Sequence, residues 1–212
     1  MNFILLLKFI SSVRHKAWGM RYDMPYAPYL TPFTFTYNLT IADMIETDRL
    51  IILPLNYEQL DLYLQANGRL EKLLHLTDNG RTIAPDVKEM VKAFTLPKIK
   101  KASSYNYLFM TFWIVVEKET RTIVAELGFK GEPDEKGGVE IGYGTMPAQR
   151  GKGFMTEAVA GMINWAKMQV GIKYILAETE EKNIASMKIV QKNNFQFTRK
   201  KGKMLWWKIS VK

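Results

Sequence analysis

Apolar residues in the second half of the chain change their spacing from segment to segment. Ala158, Met162, Ile163 and Ala166 recur at i, i+4, i+5 and i+8, which predicts a helix over Gly153–Gln169. Just before it runs the extended, glycine-punctuated segment Val139–Thr145, and after it the apolar run Lys173–Thr179. Both read as strands, so residues 139–179 form a strand–helix–strand unit, which is expected to be a right-handed parallel crossover. Upstream, Leu50–Leu55 reads as a strand. Tyr57–Gln65 and Leu70–Leu76 read as helical, with Asn67-Gly68 and Asn79-Gly80 as punctuation. Asp86–Phe94 is a further helix, with Pro85 suited to its first turn. Tyr107–Val116, rich in aromatic and β-branched residues, reads as a strand, followed by a turn at Glu119-Thr120 and the strand Thr122–Lys130. Gly131–Gly138 is a polar loop. Ile184–Asn193 is helical, and Phe195–Arg199 with Met204–Val211 closes the chain as a hairpin across Lys201-Gly202. The class expected is a mixed α/β (α+β) domain over residues 44–212.

Residues 1–43 have a different texture. They hold nine aromatics, among them Phe3, Trp18, Tyr26 and Phe35, and three prolines, Pro25, Pro28 and Pro32, that forbid a continuous helix there. Met1–Ile10 is apolar but broken by Lys8, and lacks the basic start and small-residue cleavage site of a signal peptide. An appendage to the domain is expected, with an over-extended start and Met44 as the natural first residue in view. A partner-binding or lid segment is the other reading, since so many aromatics seldom stay in water.

The turn between Val139–Thr145 and the long helix holds the most informative chemistry. Arg150-Gly151-Lys152-Gly153-Phe154-Met155-Thr156 places two glycines and two cations at a helix start. Backbone N–H groups and the positive end of a helix dipole converge there, which suits a phosphate or pyrophosphate. A nucleoside-triphosphate loop requires glycine five residues before Gly151, where Met146 stands, and Ser or Thr after the lysine, where Gly153 stands. A dinucleotide fingerprint requires a third glycine at Thr156.

The stretch instead resembles the acyl-CoA pyrophosphate loop of the GNAT superfamily of N-acetyltransferases, Arg/Gln-x-x-Gly-x-Gly/Ala. Arg150 and Gly153 match, and Met155 departs from the usual small residue. Other segments carry the same resemblance in order. Ile45-Glu46-Thr47-Asp48-Arg49-Leu50-Ile51-Ile52-Leu53-Pro54-Leu55 resembles the family's first strand, and Glu140-Ile141-Gly142-Tyr143 the fourth strand of the RimJ/RimL branch, which acetylates ribosomal-protein N-termini. Tyr174–Thr179 resembles the fifth strand, Asn183-Ile184-Ala185-Ser186 the Asn-x-x-Ser that opens the next helix, and Asn193-Asn194-Phe195-Gln196-Phe197 its ending. Asn194 replaces a glycine, and Asn is the next-best residue for a left-handed helix cap.

The resemblance implies a GNAT fold: a mixed, mostly antiparallel central sheet with one splayed parallel strand pair and flanking helices. It implies acetyl-CoA as acyl donor, an amine as acceptor, and direct attack with both bound. The cofactor would lie against Thr145, Met146, Arg150, Gly151, Lys152, Gly153, Phe154, Met155 and Thr156, with Asn183 on the pantetheine arm or tying the splayed strands together. Backbone N–H groups near Thr145 and Met146 would bond the pantetheine and polarise the thioester carbonyl. A lysine amine with a pKa near ~10.4 is about 0.1% or less neutral at pH 7, and an α-amine near ~7.7–8 is roughly 10% neutral, so the need for a base depends on the acceptor. Glu140 is the candidate base, through water, with Glu126 in reserve; each also reads as an ordinary strand carboxylate. Many superfamily members carry a proton-donating tyrosine beyond the Asn position, but this chain has Met187–Lys192 there. Ser186 is therefore the candidate donor, with a helix-start hydroxyl bonded to backbone as the other reading. Tyr143, Trp165, Trp206 and Trp207 read as core or cleft-wall aromatics.

Composition narrows the partners. The net charge is +9, with basic runs at Lys98–Lys101 and Arg199–Lys203. Those runs read first as solvated loop faces and second as attraction for a polyanion such as CoA or a ribosomal surface. No nucleic-acid-binding motif accompanies them. No cysteine is present, which excludes a cysteine acyl-enzyme and zinc–thiolate sites, and no metal site is expected with only His15 and His75. No run approaches the roughly 20 apolar residues of a membrane span. A cytoplasmic setting is expected, and a ribosomal-protein N-terminus is one acceptor the resemblance suggests. A non-catalytic acyl-CoA sensor and a basic ribosome- or RNA-binding module remain the alternatives. Oligomeric state has no signature.

Overall fold

The computed structural model describes residues 44–103 and 106–212. The expected appendage, residues 1–43, lies outside them. The described chain forms one eight-stranded sheet in the order β1-β2-β3-β4-β5-β6-β8-β7. The strands are β1 (Ile45–Glu46), β2 (Leu50–Pro54), β3 (Trp113–Glu117), β4 (Thr122–Phe129), β5 (Gly138–Thr145), β6 (Tyr174–Glu180), β7 (Gln196–Lys201) and β8 (Met204–Ser210). Every neighbouring pair is antiparallel except β5 and β6. The helices are α1 (Tyr57–Gln65), α2 (Arg69–Leu73), α3 (Pro85–Met90), α4 (Leu96–Lys101), α5 (Phe154–Met168) and α6 (Ile184–Lys192). None of the described helices is long and apolar enough to cross a membrane.

Helix α5 covers one face of the sheet. Its buried stripe, Phe154, Met155, Ala158, Val159, Met162, Ile163, Trp165 and Ala166, follows the helical period. Trp165 meets Trp113 edge-on at 5.2 Å between ring centroids and Phe109 at 5.7 Å. Gly161 sits where a Cβ would come within 3.0 Å of Thr47 and 3.2 Å of Ile45, so its missing side chain lets the β1–β2 hairpin close on the helix. Two smaller expectations match the geometry: the β7–β8 hairpin turns at Gly202 with φ 60°, and Asn194 ends α6 at φ 62°.

The crossover β5–α5–β6 forms as expected, and its strand pair opens. Parallel pairing runs from Gly138↔Tyr174 to Ile141↔Ala177 and then stops. Beyond that point β5 stays on β4 as far as Ala125↔Thr145, while β6 stays on β8 as far as Glu180↔Met204. Residues 142–145 and 178–180 therefore border a wedge between two strands that each keep an outer partner.

Two elements differ from the sequence expectation. Residues 107–112 are not strand: Asn106–Phe109 is a 3₁₀ turn, and β3 begins only at Trp113. The indole N–H of Trp113 donates to the Leu108 carbonyl at 3.0 Å, and the Thr111 hydroxyl donates to the Leu55 carbonyl at 2.5 Å. These contacts curl the segment over the sheet. The helix expected to end at Phe94 continues instead. A wide π turn, Val91–Thr95, links α3 to α4 and brings Pro97 into the first turn of α4, where its missing N–H costs no helical bond. Lys98–Lys101 thus lies on a helix and not in a loop.

Candidate active site

The turn after β5 is built from backbone. Pro147–Gln149 makes one 3₁₀ turn, and Gly151 and Gly153 follow with φ 78° and 81°. Gly153 is the N-cap of α5, and among the described residues no side chain caps the helix's first N–H groups. They stay available to an anion, favoured further by the helix dipole. The side chains of Phe154 and Met155 are buried in the core, so the residue that departs from the family's small one does not fill the loop. Arg150 and Lys152 are exposed beside it.

Arg49, which the sequence showed only as part of a strand, holds this loop in place. Its guanidinium donates to the Lys152 carbonyl at 3.1 Å and to Glu157 at 2.7 Å, and lies 4.9 Å over the Phe154 ring. Glu157 also accepts from the Thr47 hydroxyl at 2.6 Å and the Arg49 N–H at 2.8 Å. Burial alone would raise the Glu157 carboxyl, but these bonds and the Arg49 charge outweigh it and hold the group below its usual range.

Register decides which N–H groups face the wedge. The N–H of Met146 donates to the Val124 carbonyl at 3.0 Å and is spent on β4. Antiparallel bonds alternate, so Gly142 and Gly144 also point theirs at β4. The groups turned toward the opening are those of Tyr143 and Thr145. The expected pantetheine contact at Met146 N–H is corrected accordingly.

Across the wedge, the Ser186 hydroxyl sits 2.9 Å from the Tyr143 hydroxyl, which also reaches the Ser186 carbonyl at 3.3 Å. The pair joins β5 to the start of α6 where the strands have parted. Burial raises the Tyr143 hydroxyl, and the bond from Ser186 offsets part of that. Tyr143 was legible as a cleft-wall aromatic, and its hydroxyl contact was not. Asn183 uses its side-chain oxygen to cap α6 at the Ser186 N–H, 3.0 Å away.

On the face of the sheet away from α5 lies a cavity of about 1030 Å³. Its floor is β4 from Glu126 and β5 at Gly142–Gly144, and its wall is the helical stretch Val87–Lys101. The Glu126 carboxylate accepts from the Tyr63 hydroxyl at 3.1 Å. Burial raises the Glu126 carboxyl above its usual range, against the Tyr63 bond and the nearby Arg81 charge, which lower it. Tyr63 itself is pushed far up, first by burial and then by the adjacent carboxylate. Arg81 stacks on the Tyr63 ring at 4.1 Å, bonds its carbonyl at 2.8 Å, and forms a buried ion pair with Glu71 at 2.5 Å. Opposite Glu126 stands Gly144, where a Cβ would lie 2.7 Å from the carboxylate. Glycine there lets the carboxylate lie across the neighbouring strand.

Glu140 shares that face but not that cavity. It stands four residues before Gly144, about 13 Å along the strand, where β5 is still paired with Leu176 of β6. The Lys130 ammonium is bound to its carboxylate. Of the two carboxylates singled out in the sequence, the reserve one, Glu126, lines the cavity. Tyr63 and Arg81 had no sequence signal, because their role follows from α1 and the segment after α2 folding over β4.

Comparison with known proteins places these features in a family. The family model of the acetyltransferase (GNAT) domain matches residues 49–196. An uncharacterized N-acetyltransferase, YjdG, of Bacillus subtilis is 30% identical over 164 residues, covering 77% of this chain and 96% of that protein. Among solved structures, the ribosomal-protein-S5-alanine acetyltransferase of Vibrio fischeri superposes with a TM-score of 0.57 at 16% identity, over 79% of this chain and 96% of that one. RimL, a ribosomal L7/L12 α-N-protein acetyltransferase in complex with coenzyme A, does so with a TM-score of 0.57 at 12% identity, over 79% and 97%. These two share the fold. With the family match spanning most of the chain, and the splayed pair and glycine turn in the positions the fold requires, the chain belongs to the GNAT acetyltransferase family.

Proposed function

We propose that the protein moves the acetyl group of acetyl-CoA to a primary amine by direct attack with both substrates bound. Acetyl-CoA supplies the acyl group as an activated thioester. On the donor side, the N–H groups of Gly151–Thr156 take the pyrophosphate, Arg150 and Lys152 add positive charge, and Thr145 and Tyr143 offer N–H groups along the wedge. Asn183 stands at the start of α6, where its side-chain oxygen accepts from the Ser186 N–H. On the acceptor side, the amine enters the cavity over Gly142 and Gly144, and Glu126 accepts its proton directly or through one water. As the N–C bond forms and the C–S bond breaks, the Ser186 hydroxyl gives the departing thiolate its proton. Tyr143 orients Ser186 through the 2.9 Å contact between their hydroxyls, and solvent returns the proton that Ser186 gives up. Glu140 has no part in this assignment, since Lys130 already holds it.

One observation carries the reading. Residues 142–144 of β5 are at once part of the edge of the wedge and the floor of the cavity. A donor threaded through the opening and an acceptor in the cavity therefore meet at one strand. The test is a thiol-release screen with acetyl-CoA against peptides, polyamines, aminoglycosides and amino acids, alongside calorimetry of acetyl-CoA binding. Micromolar affinity with thiol release to at least one amine is expected. Affinity without release to any amine would leave a sensor, and no affinity would remove the assignment.

A further inference from the structure

The side chains around the acceptor cavity have a chemistry that bears on which amine it takes. Its helical wall carries a stripe, Val87, Met90, Phe94, Lys98 and Lys101, that keeps one face across the π turn. Met90 is 42% and Phe94 64% exposed, and Met110 and Phe112 face the same space. Large apolar side chains left open to a cavity are a surface awaiting an apolar partner. The floor is correspondingly bare: a Cβ on Gly142 would meet only the end of the Lys130 side chain, at 3.6 Å.

Charge is divided along the cavity. Glu126 stands beside the wedge. Lys98 and Lys101 belong to the cavity's helical wall, and Glu132, which accepts from the Asn106 amide at 2.9 Å, lines the cavity as well. Among the described residues neither lysine is in an ion pair, whereas Lys130 is held by Glu140. Two unpaired ammonium groups repel a second positive charge on a ligand and attract a negative one.

Resting on the acyl-transfer reading above, we infer that the acceptor is a small primary amine with an apolar body and an anionic group. The amine lies at Glu126, the apolar body on Phe94, Met90 and Phe112, and the anion at Lys98 and Lys101. Polyamines and aminoglycosides are excluded by the same lysines and by the apolar wall.

A matched set of three amines tests this: 4-(2-aminoethyl)benzoate, its neutral amide, and the dication 4-(2-aminoethyl)benzylamine. Each is titrated calorimetrically into the full chain with and without CoA, and each is assayed for thiol release with acetyl-CoA. The benzoate is expected to bind at least tenfold more tightly than the amide, with the dication weakest. The Lys98→Glu, Lys101→Glu double variant should abolish that preference while leaving affinity for the amide within about twofold. Phe94→Gln, a change at an exposed helix position, should weaken all three about tenfold and leave acetyl-CoA affinity unchanged. Equal binding of the three amines, preference for the dication, or an anion preference that survives the lysine reversal overturns the inference. So does a serine-initiated peptide that outcompetes the benzoate. If the chain fails to bind acetyl-CoA, the acyl-transfer reading falls, and the order of the three amines in the CoA-free titration still decides this one.

Discussion

Replacing Glu126 by Gln keeps the side chain's size and its bond from Tyr63, and removes only the charge and the basicity. Two consequences of opposite sign follow. General-base help is typically worth 10²–10⁴-fold, about 2.7–5.5 kcal/mol of barrier, so turnover at neutral pH should fall within that range. The fold should gain stability. Burial raises the Glu126 carboxyl above its unfolded value of 4.5, so the folded state binds that proton more tightly than the unfolded state. Stability is then highest below the unfolded value. It declines as pH rises from there to the raised folded value, and stays lower above it. At neutral pH the wild type bears that full penalty, about 1.4 kcal/mol for each tenfold tightening of proton affinity. Glu126→Gln removes it, and cavity water can satisfy the new amide. For a chain of this size each kcal/mol is worth about 2–4 °C in Tm.

The assay pairs thermal melts at pH 5 and pH 8 with turnover across the same range. The variant's Tm should exceed the wild type's at pH 8 and approach it near pH 5. Wild-type turnover should rise with pH through the Glu126 ionisation, and the variant should lose that limb. Its deficit should shrink at high pH, where the amine loses its proton unaided. A variant that is less stable at pH 8, or whose deficit is the same at every pH, would show that Glu126 is a structural carboxylate.

Four further outcomes check the rest of the site. Tyr63→Phe removes a bond that lowers the Glu126 carboxyl, so the acid limb of the pH–rate profile should move to higher pH; a limb that stays in place or moves down refutes the coupling. Tyr143→Phe and Ser186→Ala should each lower turnover about tenfold or more without rescue at high pH, and the double variant should be no worse than the weaker single one, because the two hydroxyls act as one unit; additive losses would separate them. Gly153→Val forces a β-branched residue to a φ of 81° at the loop, and calorimetry should show acetyl-CoA affinity at least tenfold lower in a folded protein. Glu140→Gln should leave turnover within about twofold, since its carboxylate is bound to Lys130 outside the cavity, and a large loss there would return it to the mechanism.

What the sequence made legible was local. The glycine turn, the stripe of α5 and the two strands around it each carry their signal within a dozen residues, and the crossover followed from them. The segments that went astray are ones whose conformation is set from afar. Residues 107–112 have the composition of a strand, yet Thr111 is drawn to the Leu55 carbonyl and Trp113 to Leu108, and the chain curls. At 91–101, the helix expected to end at Phe94 continues, because a π turn delivers Pro97 to a first-turn position where its missing N–H is harmless. That one turn also hid the apolar-to-basic stripe along the cavity wall.

The choice between the two carboxylates shows the same limit at the level of chemistry. Glu140 and Glu126 occupy the same face of adjacent strands, and their sequence surroundings are equally strand-like. What separates them is where β5 parts from β6, and that point is fixed by pairing. Glu140 lies before it, opposite Leu176, and directly across from Lys130, whose N–H donates to its carbonyl at 2.9 Å and whose ammonium takes its charge. Glu126 lies past it, opposite a glycine that leaves its carboxylate room and beneath a tyrosine that supplies its hydrogen bond. The Glu140 carboxylate is taken up by its ion pair with Lys130. A buried one with a single bonded hydroxyl is kept hungry for a proton. Gly144 is thus the residue on which the distinction turns. A methyl group there would press on the Glu126 carboxylate from 2.7 Å, so Gly144→Ala should lower turnover as Glu126→Gln does while acetyl-CoA affinity, set at the loop, stays within about twofold. Wild-type turnover in Gly144→Ala would mean that the position of this carboxylate does not matter, and with it the assignment of the base would fall.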